Sequence, residues 1–124
     1  MDELSAWLRV VMSNINNVPA IVAHNWCHYN QRYNTAPEQR HLLGKALQEG
    51  ACDTIGELIS GRNINDHLKV YGRPHDAELW RDFEADMYKP DYSNWLYNAT
   101  TAKHRPADLG YYIGYLITRA YYQT

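Results

Sequence analysis

Cysteine is nearly absent. Cys27 and Cys52 are the only two in 124 residues, too few for a disulfide framework. Long apolar runs are missing as well. The longest clean one, Val18 to Ala23, falls far short of the roughly 20 residues that a membrane-spanning helix needs. No block of Lys and Arg stands out, and 12 basic residues face 14 acidic ones, so the electrostatic footprint of a nucleic-acid binder is not there. No basic stretch leads into an apolar one at the N-terminus, so this chain shows no signal peptide. A parent protein could still be exported, and the compartment stays open. No alternating apolar–polar segment is long enough to specify a strand, and no repeat or low-complexity tract occurs. Phenylalanine appears once, against eleven tyrosines and four tryptophans. Aromatics with polar tips suit wet clefts and interfaces as well as cores.

What is present is helical periodicity. Leu4, Trp7, Leu8, Val11, Met12 and Ile15 recur at helical spacing and predict a first helix over about residues 3–15. Asn16-Asn17 breaks it, and Pro19 suits the opening of a second helix that should end near Tyr33-Asn34. Thr35 and Glu38 form the pattern of a capping box for a third helix. Its apolar stripe runs Leu42, Leu43, Ala46, Leu47, Ile55, Leu58 and Ile59, and Gly61 is its expected stop. Residues 62–74 read as a loop or short helix, and 75–88 as a helix with Leu79, Trp80, Phe83 and Met87 inward. Residues 92–105 read as irregular, with Trp95-Leu96-Tyr97 as a buried anchor. Pro106 should open a last helix through Tyr121. The expected architecture is a single all-α domain over residues 1–124, a compact bundle of four to five helices.

The chemistry concentrates in the second of these helices. His24 and His28 lie four residues apart, so a helix stacks both imidazoles on one face. This is the metal-ligand half of the motif H-E-x-x-H. Two polar positions on an amphipathic helix would look the same, but the apolar lead-in Ala20 to Ala23 points to burial, and buried imidazoles need partners. A catalytic zinc takes three protein ligands and a water. Glu49, on the next helix, is the leading candidate for the third. Asp53, one turn further on, is placed to accept the other ring N–H of a ligand histidine. A solvated helix face remains the plain alternative for both acids. Cys27 lies inside the motif and Cys52 beside Asp53. They read as two small buried residues, as additional thiol ligands, or as partners in a bond if the helices pack closely. His41, His67, His75 and His104 show no comparable spacing and read as surface or loop residues.

Four ordered blocks carry a resemblance: Glu49-Gly-Ala-Cys-Asp53, Glu57-Leu-Ile-Ser-Gly61, Trp95-Leu-Tyr-Asn98 and Arg105-Pro-Ala-Asp-Leu-Gly-Tyr-Tyr-Ile-Gly-Tyr115. With the histidine pair, they resemble a bacterial family of predicted zinc-dependent proteases of gluzincin type, long catalogued as a domain of unknown function. The likeness runs from about residue 20 to the C-terminus. It implies zinc held by His24, His28 and Glu49, with Asp53 behind them, and a fold like the helical half of a gluzincin metallopeptidase. The run Gly110 to Tyr115 resembles the tyrosine-rich helix of oligopeptidase gluzincins. That likeness implies Tyr112 and Tyr115 as donors to a developing oxyanion.

Two departures bear on turnover. The position after the first histidine, where the family has the glutamate that takes the proton from zinc-bound water, is Asn25. An amide can hydrogen-bond that water but cannot accept its proton, and loss of a positioned base typically costs about 10²–10⁴-fold. Moreover, gluzincins place a sheet before the motif helix, whose edge strand holds the extended substrate. Here about 23 residues precede His24 and read as helical, so either the chain is the C-terminal part of a longer protein or no strand holds a peptide. The leading expectation is a zinc-binding metallopeptidase-like domain, acting on peptide or protein if active and impaired as written. The alternatives are a non-catalytic helical binding or oligomerisation module, homo-oligomeric or otherwise, and a repurposed metal site.

Overall fold

The computed structural model describes residues 14–31 and 40–124. Among them are four α-helices and no strand: α1 (Val18–Asn30), α2 (Leu42–Ser60), α3 (Leu68–Asp86) and α4 (Leu109–Tyr122), with a 3-10 turn, Ile15–Asn17, ahead of α1. The all-α bundle expected from the periodicity is therefore the observed fold. The first expected helix and the Thr35–Glu38 capping box fall largely or wholly outside the described residues.

Local chemistry explains most of the helix ends. Pro19 occupies the first turn of α1, where a missing N–H costs nothing. The helix stops at Asn30, short of the expected Tyr33-Asn34, because Gln31 turns extended. At the start of α2 the His41 side chain accepts from the Gly44 N–H at 3.3 Å. Two further orphan donors, the N–H groups of Leu42 and Leu43, reach the carbonyls of Lys89 and Met87. Gly61 ends α2 in the left-handed conformation, φ 77°, as expected of a glycine at that point.

Other boundaries differ too, and the last helix starts at Leu109 rather than at Pro106. Helix α3 begins at Leu68 and runs through Pro74, where a loop or short helix is the expected reading. Proline removes the bond to the carbonyl four residues back. That residue, Val70, is 80% exposed, so water can satisfy the freed group. The helix then gains the inward row Leu68, Gly72, Leu79 and Phe83.

The core lies between α2, α3 and α4, with the 95–96 segment plugged into it. Leu42, Leu79, Phe83, Trp95, Leu109 and Ile113 are all buried in one cluster. Phe83 meets Trp95 edge to face at 5.2 Å, a favoured aromatic geometry. Helices α2 and α4 cross in backbone contact: a methyl group at Gly50 would collide with the backbone of Gly114. That crossing fixes the residue before Gly50, which is Glu49. On the other side of α2, a methyl group at Gly56 would stand only 3.3 Å from the Ala20 carbonyl oxygen, so α1 lies close against α2. Ile55, Leu58 and Ile59 belong to the expected inward stripe but are exposed.

Candidate metal centre

Helix α1 presents Ala20, Ala23, His24 and Cys27 as its buried face. Helix α2 answers with Glu49, Cys52, Asp53 and Gly56. The two faces meet at a cluster of three side chains. His24 Nε2 lies 3.0 Å from His28 Nε2. Glu49 Oε2 lies 2.8 Å from His28 Nε2 and 3.4 Å from His24 Nε2. Donors bonded at about 2.1 Å to a tetrahedral ion stand roughly 3.4 Å apart, so one of the three spacings matches a ligand set and the other two lie slightly inside it. His24, His28 and Glu49 could hold a metal ion.

The hydrogen bonds around the cluster decide what its inner atoms offer. His24 Nδ1 is 2.8 Å from Asp53 Oδ1. Asp53 is in turn held by the Asn65 amide, which donates to Oδ2 at 2.8 Å. The His24–Asp53 contact is an ion pair out of hydrogen-bond alignment, but the carboxylate beside Nδ1 still favours the proton on that nitrogen, which leaves Nε2 with a lone pair facing inward. The same logic applies to His28. The Gln31 Nε2 amide donates to the Gln48 carbonyl at 2.9 Å, which fixes the orientation of the Gln31 amide. Its Oε1 then faces His28 Nδ1 at 3.0 Å and takes that proton. Two imidazole lone pairs and a carboxylate oxygen thus face one another within 3.4 Å. Such an arrangement needs a cation at its centre.

In the metal-free protein that cation is a proton. Burial pulls the His24 pKa down, but the carboxylates of Asp53 and Glu49 outweigh it and raise it to about 9. Glu49 is likewise opposed by burial, yet its contacts with the His24 and His28 imidazoles and the bond from Tyr97 hold it well below the usual carboxylate range. Burial pushes Asp53 up, against its pairing with His24. A site that traps a proton between two imidazoles and a carboxylate fits a divalent ion better, provided the proton leaves.

The other expected residues fall at varying distances from this cluster. Asn25 is exposed, and its Nδ2 donates back to the Ile21 carbonyl at 3.0 Å. Cys27 and Cys52 are both free and buried, and burial raises the pKa of each thiol. Tyr112 is not brought to the histidines: its ring packs on Gly72 and its hydroxyl donates to Asp76 at 2.5 Å. The Tyr115 hydroxyl donates to Glu57 at 3.1 Å and accepts from Lys69 at 3.4 Å. Glu57 and Lys69 line a separate cleft of about 410 Å³.

Two other tyrosines stand beside the site. Tyr111 stacks near the His24 ring at 6.4 Å between centroids. Tyr97 donates its hydroxyl to Glu49 Oε1 at 2.5 Å. The periodicity could not separate Tyr111 from Tyr112, since one residue of rotation on α4 decides which faces His24. Tyr97, Gln31 and Asn65 carry no spacing signal, because each lies outside the helices.

The fold and site together define a helical domain with a histidine–histidine–glutamate centre able to bind a metal. The chain belongs to the family described as predicted Zn-dependent protease (DUF2268), whose profile matches residues 1–124. No curated protein and no solved structure matches it.

Proposed function

We propose that this is a zinc centre of the metallopeptidase type, for peptide or protein substrates, whose hydrolytic step is lost or strongly impaired because Asn25 occupies the position of the general base. The observation that carries the reading is the convergence of His24 Nε2, His28 Nε2 and Glu49 Oε2, with both outer imidazole nitrogens engaged by Asp53 and Gln31. Membership of a family of predicted Zn-dependent proteases supports the choice of ion. Zinc held there would supply a Lewis acid and a water of lowered pKa. His24 and His28 bind through Nε2 and Glu49 through Oε2. Asp53 and Gln31 keep the two imidazoles in the tautomer that can bind. Asn25, with its amide turned toward its own helix, has no basic atom with which to take a proton. Tyr112 and Tyr115 would reach a substrate carbonyl only by leaving Asp76 and Glu57.

The deciding experiment is Asn25→Glu. With zinc supplied, the variant is expected to cleave members of a broad peptide library about 10²–10⁴-fold faster than the parent chain. A variant that binds zinc and cuts nothing sinks the hydrolase reading. One observation favours a second function. Val18, Val22, Trp26, Ile55, Leu58 and Ile59 are apolar and exposed on α1 and α2, as a binding or oligomerisation module would have them. In that case light scattering reports an assembly that persists whether or not zinc is bound.

A further inference from the structure

Tyr97 is the residue of the site least explained by packing. It is 57% exposed, yet its hydroxyl reaches the buried Glu49 carboxylate. Its backbone is left-handed, φ 56°, a conformation that a non-glycine residue adopts only at a cost. The surroundings over-determine that conformation. The Tyr97 N–H donates to Asp108 Oδ1 at 2.6 Å. The Asp108 N–H donates to Asn98 Oδ1 at 2.9 Å. Asp108 is itself left-handed, φ 64°. This clasp ties Tyr97 and Asn98 to Asp108, the residue just before α4, and the result is a phenol aimed at one oxygen of one carboxylate. The Tyr97 ring is also braced edge to face by Tyr111 at 6.4 Å and Tyr92 at 6.0 Å.

A glutamate has two oxygens and can offer a metal one or both. Here Oε2 faces the two imidazoles, and Oε1 is taken by the Tyr97 hydroxyl. We propose that Tyr97 is a positioning residue that restricts Glu49 to a single ligand oxygen and so keeps the fourth coordination position open for water or substrate. The inference rests on the zinc reading above but does not depend on hydrolysis. It assigns a role to the strained Trp95–Asn98 loop, namely to deliver one hydroxyl to the metal's carboxylate. The bonds through Asp108 and Asn98 hold the left-handed residue in place, and orienting a metal's ligand is what its outer partners commonly do.

Cobalt(II) is the probe, since its visible absorption is several times stronger in four-coordinate than in five- or six-coordinate sites. The parent chain loaded with cobalt should show the intense four-coordinate bands. Tyr97→Phe keeps the ring and removes only the hydroxyl. With Oε1 released to the metal, its bands should weaken toward the five-coordinate pattern, and zinc affinity should change by about 10–100-fold. Circular dichroism of the metal-free variant should match the parent. If the parent binds neither cobalt nor zinc, the ligand assignment fails rather than the role of Tyr97. If the parent binds metal and the Tyr97→Phe spectrum is unchanged, the inference is overturned, whatever the affinity. Weak, high-coordination bands in the parent itself overturn it without recourse to any variant.

Discussion

Two halves of this bundle are stabilised by different physics. Between α2, α3 and α4, burial is apolar and self-sufficient: Leu42, Leu79, Phe83, Trp95 and Ile113 fill the space and need nothing from solution. Between α1 and α2, Ala20 and Ala23 flank a buried stack of His24, Glu49 and Asp53 with two thiols beside it. Burying such groups is unfavourable unless each finds a partner. Here each partner is itself polar: Asp53 for His24, Asn65 for Asp53, Gln31 for His28, Tyr97 for Glu49. The first half is a scaffold whose stability is set by volume. The second is a polar network whose stability is set by whichever cation occupies its centre. A small domain can carry a charged interior only when its scaffold supplies the surplus.

The largest expected effect tests the scaffold. Phe83→Ala removes a fully buried ring from the contact with Trp95 and should cost about 3–5 kcal/mol. Urea melts with and without zinc should show the same loss, because Phe83 lies away from the ligand cluster. A loss confined to one of the two states would mean that the halves are not separate. By contrast, zinc at a hundred times its dissociation constant should stabilise the parent by about 2.7 kcal/mol. Hydrogen exchange should place the added protection in α1 and the middle of α2.

A second test exploits acidity, to which the scaffold is indifferent. The folded pKa of His24 is raised from 6.5 to about 9. A raised histidine contributes stability that is fully present below the unfolded value and is lost as pH rises through the folded one. The metal-free protein should therefore lose up to about 3 kcal/mol between pH 6.5 and 9.5. Zinc affinity should move the other way over the same window, because the ion must displace that proton. Glu49, held low, contributes in the opposite sense: its share is present above its unfolded value near 4.5 and fades in acid. A stability profile flat from pH 6.5 to 9.5 would show that no proton is trapped between the imidazoles.

Much of this division is legible in the chain, for a reason that also sets the limit. A helix converts spacing into direction, so four-residue intervals bring His24 to His28 and Glu49 to Asp53 without any knowledge of the fold. Gly61 is readable because only a residue without a side chain adopts φ 77° freely. Pro74 misleads, since its cost depends on whether Val70 faces water, and that is a tertiary fact. Tyr112 and Tyr111 differ by about 100° of rotation on α4, finer than a pattern of aromatics resolves. Tyr97 reaches Glu49 across 48 residues through a loop with two left-handed residues that are not glycine. Nothing in local composition announces such a conformation.

Gln31 gives the smallest expected effect and the cleanest reading of the network. It is three residues past His28 but beyond the end of α1, in extended backbone, so helical spacing never points to it. Two contacts of its amide bear on the site: Nε2 donates to the Gln48 carbonyl, and Oε1 faces His28 Nδ1. Gln31→Ala removes both and should weaken zinc binding about 10–100-fold, or roughly 1.4–2.7 kcal/mol. That loss alone would not separate a lost acceptor from a loosened helix end. Gln31→Glu does separate them. It gives up the bond to Gln48 but keeps an acceptor for His28 Nδ1, now charged, which makes the ring more basic toward a metal. Zinc titrations should find Gln31→Glu at least as tight as the parent while Gln31→Ala falls away. If both variants weaken together, the residue serves only to tie α1 to α2, and the tautomer of His28 is set by something else.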